Sequence, residues 1–139
     1  MSDPLAILGA ISASVDLAER ILKYFSEFRN APRHAADLVG EVVAVGHVLG
    51  MLRSRLEAEN AVGNAYNRTS VLFFAVNGCQ TRLKEVHDIL EPLLSAQPGI
   101  LKLWHRLKWP LEQDEVVEII LSLHRYAQIF HFAVNLDGL

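Results

Sequence analysis

Residues 4–15 carry no charged side chain, and this stretch constrains the fold more than any other part of the sequence. As a helix it would be about 18 Å long, whereas the hydrocarbon core of a bilayer is about 30 Å thick. It is therefore too short for an ordinary transmembrane helix. Charged residues follow from Asp16 onward, and placing one at the centre of a bilayer costs about 2.5 to 3.5 kcal/mol. We therefore expect the stretch to fold first within a soluble domain.

A secretory signal peptide has an apolar region of similar length, about 7 to 15 residues. The charge ahead of the apolar stretch is Asp3 rather than a Lys or Arg. The helical pattern also continues past Val15 without a polar cleavage region. These two features disfavour a signal peptide.

The composition predicts one globular domain over residues 1–139. Hydrophobic residues make up 51% of the chain and charged residues 21%, and such a composition can offset the entropy lost on folding. The net charge is -3, so we expect no nucleic-acid partner. Cys79 is the single cysteine, which excludes an internal disulfide and a cysteine-based zinc site and fits a reducing compartment.

Four stretches place apolar residues at alternating steps of three and four, the spacing of a helix-bundle seam. We predict helices from Pro4 to about Phe28, from about Pro32 to near Glu59, from Asn67 or Thr69 to Leu93, and from about Glu112 to Asn135, with breaks at 30–32, 60–64 and 95–99. The predicted fold is all-α, a left-handed bundle of four long helices with a short amphipathic helix between the third and the fourth.

The predicted seams are Leu8, Ile11, Val15, Ala18, Leu22 and Phe25 in the first helix; Ala35, Leu38, Val42, Val45, Leu49, Leu52 and Leu56 in the second; Leu72, Val76, Cys79, Leu83, Val86, Leu90 and Leu93 in the third; and Val116, Ile120, Leu123, Ala127, Phe130 and Val134 in the fourth. The second helix has a flanking face of Val39, Val43, Gly46 and Gly50, from which we expect it to be central in the bundle.

A polar stripe follows one side of the first helix, formed by Ser12, Asp16, Glu19 and Lys23. Their spacing of four, three and four residues places them on one helix face. Such a face usually meets water on a surface helix. In a membrane assembly the same stripe would face a wet lumen, where ionisable groups are tolerated.

The short segment 100–110 holds the densest positive charge of the chain beside two tryptophans. Basic residues attract an anionic leaflet and Trp favours the membrane interface, so we predict lipid headgroup contact by Lys102, Trp104, Arg106, Lys108 and Trp109. In the alternative interpretation both tryptophans seal the end of the bundle, and the basic residues pair with acids of the fourth helix or meet solvent.

No catalytic motif occurs in the sequence. A phosphate-binding Gly loop, a Gly-x-Ser-x-Gly elbow and a His-Glu-x-x-His pair are all missing, and the six histidines lack the close spacings of zinc sites. Cys79 lies within a seam, where packing is its expected role, and the carboxylates near Glu112 suit the positive end of a helix dipole. We therefore predict no enzyme, no cofactor and no metal site.

Several short motifs together resemble a known family: the Asp3-Pro4-Leu5 start, the uncharged helix after it, the Asn30-Ala31-Pro32 break, and Leu107-Lys108-Trp109-Pro110-Leu111 before an acidic helix start. The chain resembles, over nearly its whole length, the HeLo-like N-terminal domains of fungal NOD-like (STAND) receptors and amyloid-signalling proteins. The resemblance implies a cell-death effector that is inactive in the cytoplasm and, once clustered, permeabilises the plasma membrane through its N-terminal helix.

The partners that this resemblance implies are anionic membrane lipids, further copies of the chain, and a C-terminal amyloid or nucleotide-binding module or a partner receptor. The sequence contains no such module, so we expect a fragment of a longer protein or an unusually short member of the family. The residues predicted to enter lipid as a half-span are Pro4, Leu5, Ile7, Leu8, Gly9, Ile11, Ala13 and Val15.

Two alternatives stay open at the level of sequence. The first helix is equally well read as an ordinary core helix of a bundle. The whole domain is also compatible with a pure interaction or oligomerisation module that never touches lipid. Uncharged first turns favour membrane activity, because an adaptor has no need to keep them free of charge.

Overall fold

The computed structural model describes residues 4–26, 33–62, 69–95 and 111–136. These residues form four helices, α1 (Pro4–Phe25), α2 (Arg33–Val62), α3 (Thr69–Ser95) and α4 (Gln113–Leu136), and no strand occurs among them. The prediction of an all-helical fold with four long helices is confirmed. The segment 100–110, predicted to form a short amphipathic helix, lies outside the described residues.

The helix ends differ from the prediction by a few residues. α1 ends at Phe25 rather than Phe28, and its last turn closes when the Ser26 hydroxyl donates to the Lys23 carbonyl oxygen at 2.6 Å. α2 runs on to Val62, so residues 60–62 are helical rather than part of a linker. Asn and Ala are tolerated in a final turn, whereas Gly63 is the first strong helix breaker in that region.

α4 begins with a reciprocal cap at Glu112. Its carbonyl oxygen accepts the Val116 N–H at 3.0 Å, and its own N–H donates to the Glu115 carboxylate at 3.4 Å. A carboxylate three residues after the cap satisfies a backbone donor and interacts favourably with the helix dipole. Asp114 and Glu115 both lie in this first turn, as the sequence predicts.

The four helices form a ring in which α1 contacts α2 and α3, and α4 contacts α2 and α3. α3 and α4 are antiparallel, because Gly78 lies against Tyr126 while Arg82 bonds Glu118. α1 and α2 are also antiparallel: with Gly46 beside Ala18, parallel helices would separate Phe25 from Arg33 by about 30 Å along the axis, more than the connection spans.

The core lies along the axis of this ring and is lined by all four helices. Every predicted seam residue of α2 is buried, as are those of α3 up to Leu90; the Leu93 side chain lies outside the described residues. In α4, Ile119 is buried and Ile120 is only half-buried, while the other predicted seam residues are buried. The predicted seams of these three helices are therefore confirmed at nearly every described position.

The predicted seam of α1 is confirmed at Ile11, Ala18 and Phe25 and wrong at Leu8, Val15 and Leu22. The buried face consists of Ile7, Ile11, Ser14, Ala18, Ile21 and Phe25, whereas Leu8, Val15 and Leu22 lie half-buried on its flank. The observed face points directly away from the charged side of the helix. Ser14 fits in the core because its hydroxyl donates to the Ala10 carbonyl oxygen at 2.9 Å, so no polar group is left unsatisfied.

The prediction that α2 is the central helix is also wrong. α2 has two neighbours, as α1 does, and its outward side is open to solvent. Val43, on the predicted flanking face, is 50% exposed. Gly46, on the same face, does permit a close approach, since a Cβ added there would lie 3.5 Å from the Ala18 Cβ.

Candidate membrane-active surface

The larger apolar residues at the start of α1 pack in the core or against it. Ile7 and Ile11 are fully buried, and Leu8 and Val15 are half-buried against the same cluster. These four residues belong to the set predicted to enter lipid. In this closed structure Ile7 and Ile11 are not available to a membrane, so their entry into lipid requires α1 to leave its place in the bundle.

The most exposed described positions of α1 in these turns are small residues. Ala6 and Gly9 are exposed, and Ala13 is half-buried. A Cβ added at Gly9 would meet no atom within 4 Å. Pro4 and Leu5 form the first turn of the helix, but their side chains lie outside the described residues.

The predicted polar stripe lies on the solvent side of α1. Asp16, Glu19 and Lys23 are exposed and Ser12 is half-buried. Together with Arg20, the three exposed residues line a shallow depression of about 330 Å³. Charges of both signs therefore alternate over this surface, which matches the interpretation of the stripe as a water-facing side in the closed state.

The C-terminal half of α1 is attached to α3 by a polar cluster around His87. The Tyr24 and His87 rings lie 5.7 Å apart. His87 Nδ1 is 3.2 Å from Asp88 Oδ1, and its Nε2 is 2.8 Å from Glu91 Oε2, an ion-pair distance without good hydrogen-bond geometry. Partial burial and the Glu91 carboxylate raise the pKa of Tyr24. α1 is thus held by apolar contacts in its first half and additionally by polar ones in its second.

The outward face of α2 is almost free of charge. Between Asp37 and Arg53 its exposed residues are Gly40, Val43, Ala44, His47 and Met51. The opposite face of the same turns is the buried seam. Apart from His47, α2 is therefore apolar or small on both sides over about four turns, which a helix at the edge of a bundle does not require.

Among the described residues, the helix that is long and apolar enough to cross a membrane is α2, over Arg33–Ala58. Only 39% of its apolar window is buried. Core helices of soluble proteins pass the same test of length and composition, but they are mostly buried. The uncharged start of α1, in contrast, was the stretch to which the sequence pointed.

Two polar contacts join α4 to its neighbours. His124 Nδ1 lies 3.2 Å from Glu41 Oε1 on α2, and this carboxylate is the only charged group between Asp37 and Arg53. On the other side Arg82 donates to Glu85 at 3.1 Å within α3 and to Glu118 of α4 at 3.4 Å. Exposed pairs of this kind contribute about 0 to 1 kcal/mol each, so they orient the helices more than they hold them.

Cys79 is fully buried in the core, at its predicted place in the α3 seam. Burial raises the pKa of its thiol to about 12. Because the thiolate is the reactive form, this residue packs and does not act as a nucleophile in the closed state. Within the described part of the chain, no group of three or more His, Cys, Asp or Glu side chains could hold a metal ion.

The predicted headgroup contacts are not placed by the structure. Lys102, Trp104, Arg106, Lys108 and Trp109 all lie outside the described residues. The structure therefore leaves both interpretations of this basic segment as predictions, the lipid contact and the seal at the end of the bundle.

Sequence reasoning missed the exposed large apolar residues outside α1. Phe74 on α3 is 82% exposed, and Phe132 and Leu121 on α4 are 68% and 58% exposed. Each lies on the side of its helix opposite the predicted seam, so projection of the seam around the helix would have found them. Isolated exposed apolar residues are common, and these three lie on two different helices.

No protein-family model matches the chain, no curated protein is similar to it, and no solved structure shares its fold with significance. A function for this chain therefore has to be argued from its own residues.

Proposed function

We propose that the chain is a cell-death effector domain of the HeLo-like type, which permeabilises the plasma membrane through α1 after oligomerisation. The observation that carries the proposal is the division of α1. Its first three turns have no charge, their larger described side chains are buried or half-buried, and the exposed positions are the small residues Ala6 and Gly9. An effector that must stay soluble before activation needs this arrangement, since its lipid-binding residues have to be hidden.

Activation in this proposal exchanges the protein core for lipid around residues 4–15. The stretch spans about 18 Å as a helix, which is roughly half of a bilayer with its headgroups. One copy therefore cannot form a pore, and clustering brings several half-spans together. Ala6, Gly9, Ala10 and Ala13 are small enough for copies to pack closely, while Asp16, Glu19 and Lys23 line the wet side of the assembly.

The proposal includes several features that come from the sequence. The bundle is left-handed, and residues 100–110 form an amphipathic helix that meets anionic headgroups first. The domain resides in the cytoplasm of a fungal cell as part of an innate-immunity or heterokaryon-incompatibility pathway, and reaches the plasma membrane when a nucleotide-binding or amyloid module clusters it.

Changing Lys102, Arg106 and Lys108 together to Gln should weaken binding to phosphatidylserine vesicles by about 3 kcal/mol at low salt.

A second candidate function is an interaction module of a STAND receptor without membrane activity. It is favoured by the exposed side chains of Phe74, Leu121 and Phe132, none of which belongs to α1. Aromatic residues that stay in solvent are common anchors of protein interfaces. In this case the uncharged start of α1 would be a core helix and nothing more.

Dye release from phosphatidylserine vesicles separates the two functions. The chain is fused at its C-terminus to a domain that an added ligand oligomerises, and clustering should start dye release. The decisive variant is Gly9→Lys, because the position is exposed with open space around it and a charge there leaves the core intact. It should fold by circular dichroism and release no dye.

Asn77→Lys is the matched control. It adds the same charge at an exposed position of α3, a helix that has no part in membrane entry, and should release dye as the unaltered chain does. Dye release by folded Gly9→Lys at the unaltered rate would remove α1 from the mechanism. No release by any clustered protein would favour the interaction module.

A further inference from the structure

α1 alone does not account for the apolar surface of this bundle. Between Asp37 and Arg53 the exposed residues of α2 are Gly40, Val43, Ala44, His47 and Met51, and Glu41 is the only Asp, Glu, Lys or Arg. A helix with so few polar residues on any side is normally enclosed by protein or by lipid. α2 is enclosed on one side only, because it lies at the edge of the ring.

The apolar window of α2 comes closer to the thickness of a bilayer core than residues 4–15 of α1 do. The candidate segment Arg33–Ala58 has 26 residues, and the apolar window within it has 18, which is about 27 Å of helix. The hydrocarbon core requires about 30 Å. Arg33 at one end, and Arg53 and Arg55 at the other, lie about one bilayer core apart and have side chains long enough to reach the headgroups.

We infer that α2 enters the bilayer together with α1, as an antiparallel hairpin in which α2 crosses the hydrocarbon core and α1 supplies a half-span beside it. This inference rests on the proposed membrane activity and names the element that completes it. The occupant of the open α2 face is lipid, because that face belongs to a segment of bilayer length with charged residues at its two ends.

The contact between α1 and α2 is suited to survive this transfer. Gly46 lies against Ala18, with a Cβ-to-Cβ separation of 3.5 Å for a side chain added at Gly46. Small residues at a crossing let two backbones approach closely, and such packing holds helices together in lipid without help from the hydrophobic effect. The helices therefore need not separate from each other in order to leave α3 and α4.

Glu41 marks the obstacle to the transfer. It is the one carboxylate between Asp37 and Arg53 and pairs with His124 of α4 at 3.2 Å. When α2 leaves α4 this partner is lost. The carboxylate must then be neutralised by a proton or face the wet side of the assembly, together with the polar stripe of α1.

A disulfide between α1 and α2 tests whether the two helices move together. Ala18→Cys with Gly46→Cys places two thiols at a Cβ separation compatible with a disulfide, in a Cys79→Ala chain that serves as the reference. If α1 and α2 enter as a hairpin, the oxidised protein, once clustered, should release dye from phosphatidylserine vesicles at the same rate as its reduced form. Release only after reduction would mean that α1 leaves alone, and would overturn the inference while the proposed function stands.

Charge on the open face of α2 provides an independent test. Val43→Lys alters an exposed position, so the fold should persist, and it should lower dye release at least tenfold relative to Asn77→Lys, the control on α3. Release equal to that of the control would overturn the inference. A reference chain that releases no dye when clustered would overturn the proposed function, and the inference with it.

The same variant separates lipid from a protein occupant. If the α2 face bound a second copy, the soluble chain would elute as a dimer without lipid, and Val43→Lys would convert it to a monomer. That result would also overturn the inference. A monomer in both cases, combined with loss of dye release in the variant, is the expected outcome.

Discussion

α1 and α2 are neighbours of similar composition, but they divide their surfaces in different ways. α1 has a clear amphipathic pattern in its second half, where Asp16, Glu19 and Lys23 face water and Ile21 and Phe25 face the core. α2 keeps its charges near its ends and exposes Val43, Ala44 and Met51 in its middle. In α1 the large apolar residues are buried or half-buried, whereas α2 has apolar residues on its solvent-exposed side in addition to those in the core. The excess is the part of this bundle for which stability in solution offers no explanation.

The largest expected difference between the two helices lies in their contributions to folding. Ile11→Ala on α1 removes a fully buried side chain and should lower the free energy of unfolding by about 2 to 5 kcal/mol. Val43→Ala on α2 should change it by about 0.5 kcal/mol or less. Urea unfolding followed by circular dichroism measures both. Equal losses would show that the α2 face is covered in solution.

Alkaline pH should lower the free energy of unfolding, because the buried Cys79 thiol resists deprotonation in the folded chain. Its pKa is raised by burial from 9.0 to about 12, so above pH 9 the unfolded chain loses a proton that the folded chain keeps. The contribution of this thiol is complete below pH 9 and falls by about 1.4 kcal/mol per pH unit as the pH rises toward 12. Urea unfolding at about pH 10.5 should show a loss of about 2 kcal/mol relative to pH 8.

Cys79→Ala is the control for this pH effect, because it removes the titrating group. Tyr24 also has a raised pKa, and it acts in the same direction above pH 10, but both chains contain it. The difference between the two pH profiles therefore isolates the thiol. Identical profiles would contradict the prediction and would mean that water reaches Cys79 in the folded state.

Substitution of two glycines compares the stability effect of a side chain on an open helix face with that on a packed one. At Gly78 a Cβ would collide with the Tyr126 hydroxyl and lie 2.8 Å from its Cζ, so Gly78→Ala should destabilise the chain by about 1 to 3 kcal/mol. At Gly40 on α2 nothing lies within 4 Å, and Gly40→Ala should stabilise it by about 0.5 to 1 kcal/mol through helix propensity. Thermal unfolding measures both, and a loss at Gly40 would indicate a hidden contact on α2.

The smallest expected effect concerns the pair between Glu41 and His124. Glu41→Gln removes an exposed ion pair and should change the free energy of unfolding by less than about 1 kcal/mol. The same change should speed dye release, since it removes the only carboxylate between Asp37 and Arg53. Gln128→Glu on the exposed face of α4 is a comparison at a position outside the hairpin. Slower release by Glu41→Gln would mean that this charge assists entry.

The sequence predicted the four helices and the seams of α2, α3 and α4 because a three-four alternation of apolar residues is a local signal. It failed on α1, where two alternations share Ile11, Ala18 and Phe25. The prediction chose the one with Val15 over the one with Ser14, since a serine counts as polar. In the structure that serine is satisfied by its own helix, which a pattern of side-chain types does not register.

The candidate site was predictable only in part. Residues 4–15 stand out because charge is absent from a run of sequence, and that can be read directly. The open face of α2 depends on which helices become neighbours, and a ring in which α2 and α3 are not adjacent does not follow from four similar seams. The same holds for the cluster of Tyr24, His87 and Glu91, which joins residues far apart in the chain.

The close approach of Gly78 to Tyr126 and the bond from Arg82 to Glu118 are contacts between α3 and α4 that do not involve the other two helices. If α1 and α2 depart, this pair remains as a two-helix remnant with the side chains of Leu83, Val86 and Leu123 newly open to water. Exposed apolar surface of this kind promotes aggregation with other copies of the remnant. Under the proposed mechanism, return to the closed bundle would then compete with aggregation of this remnant.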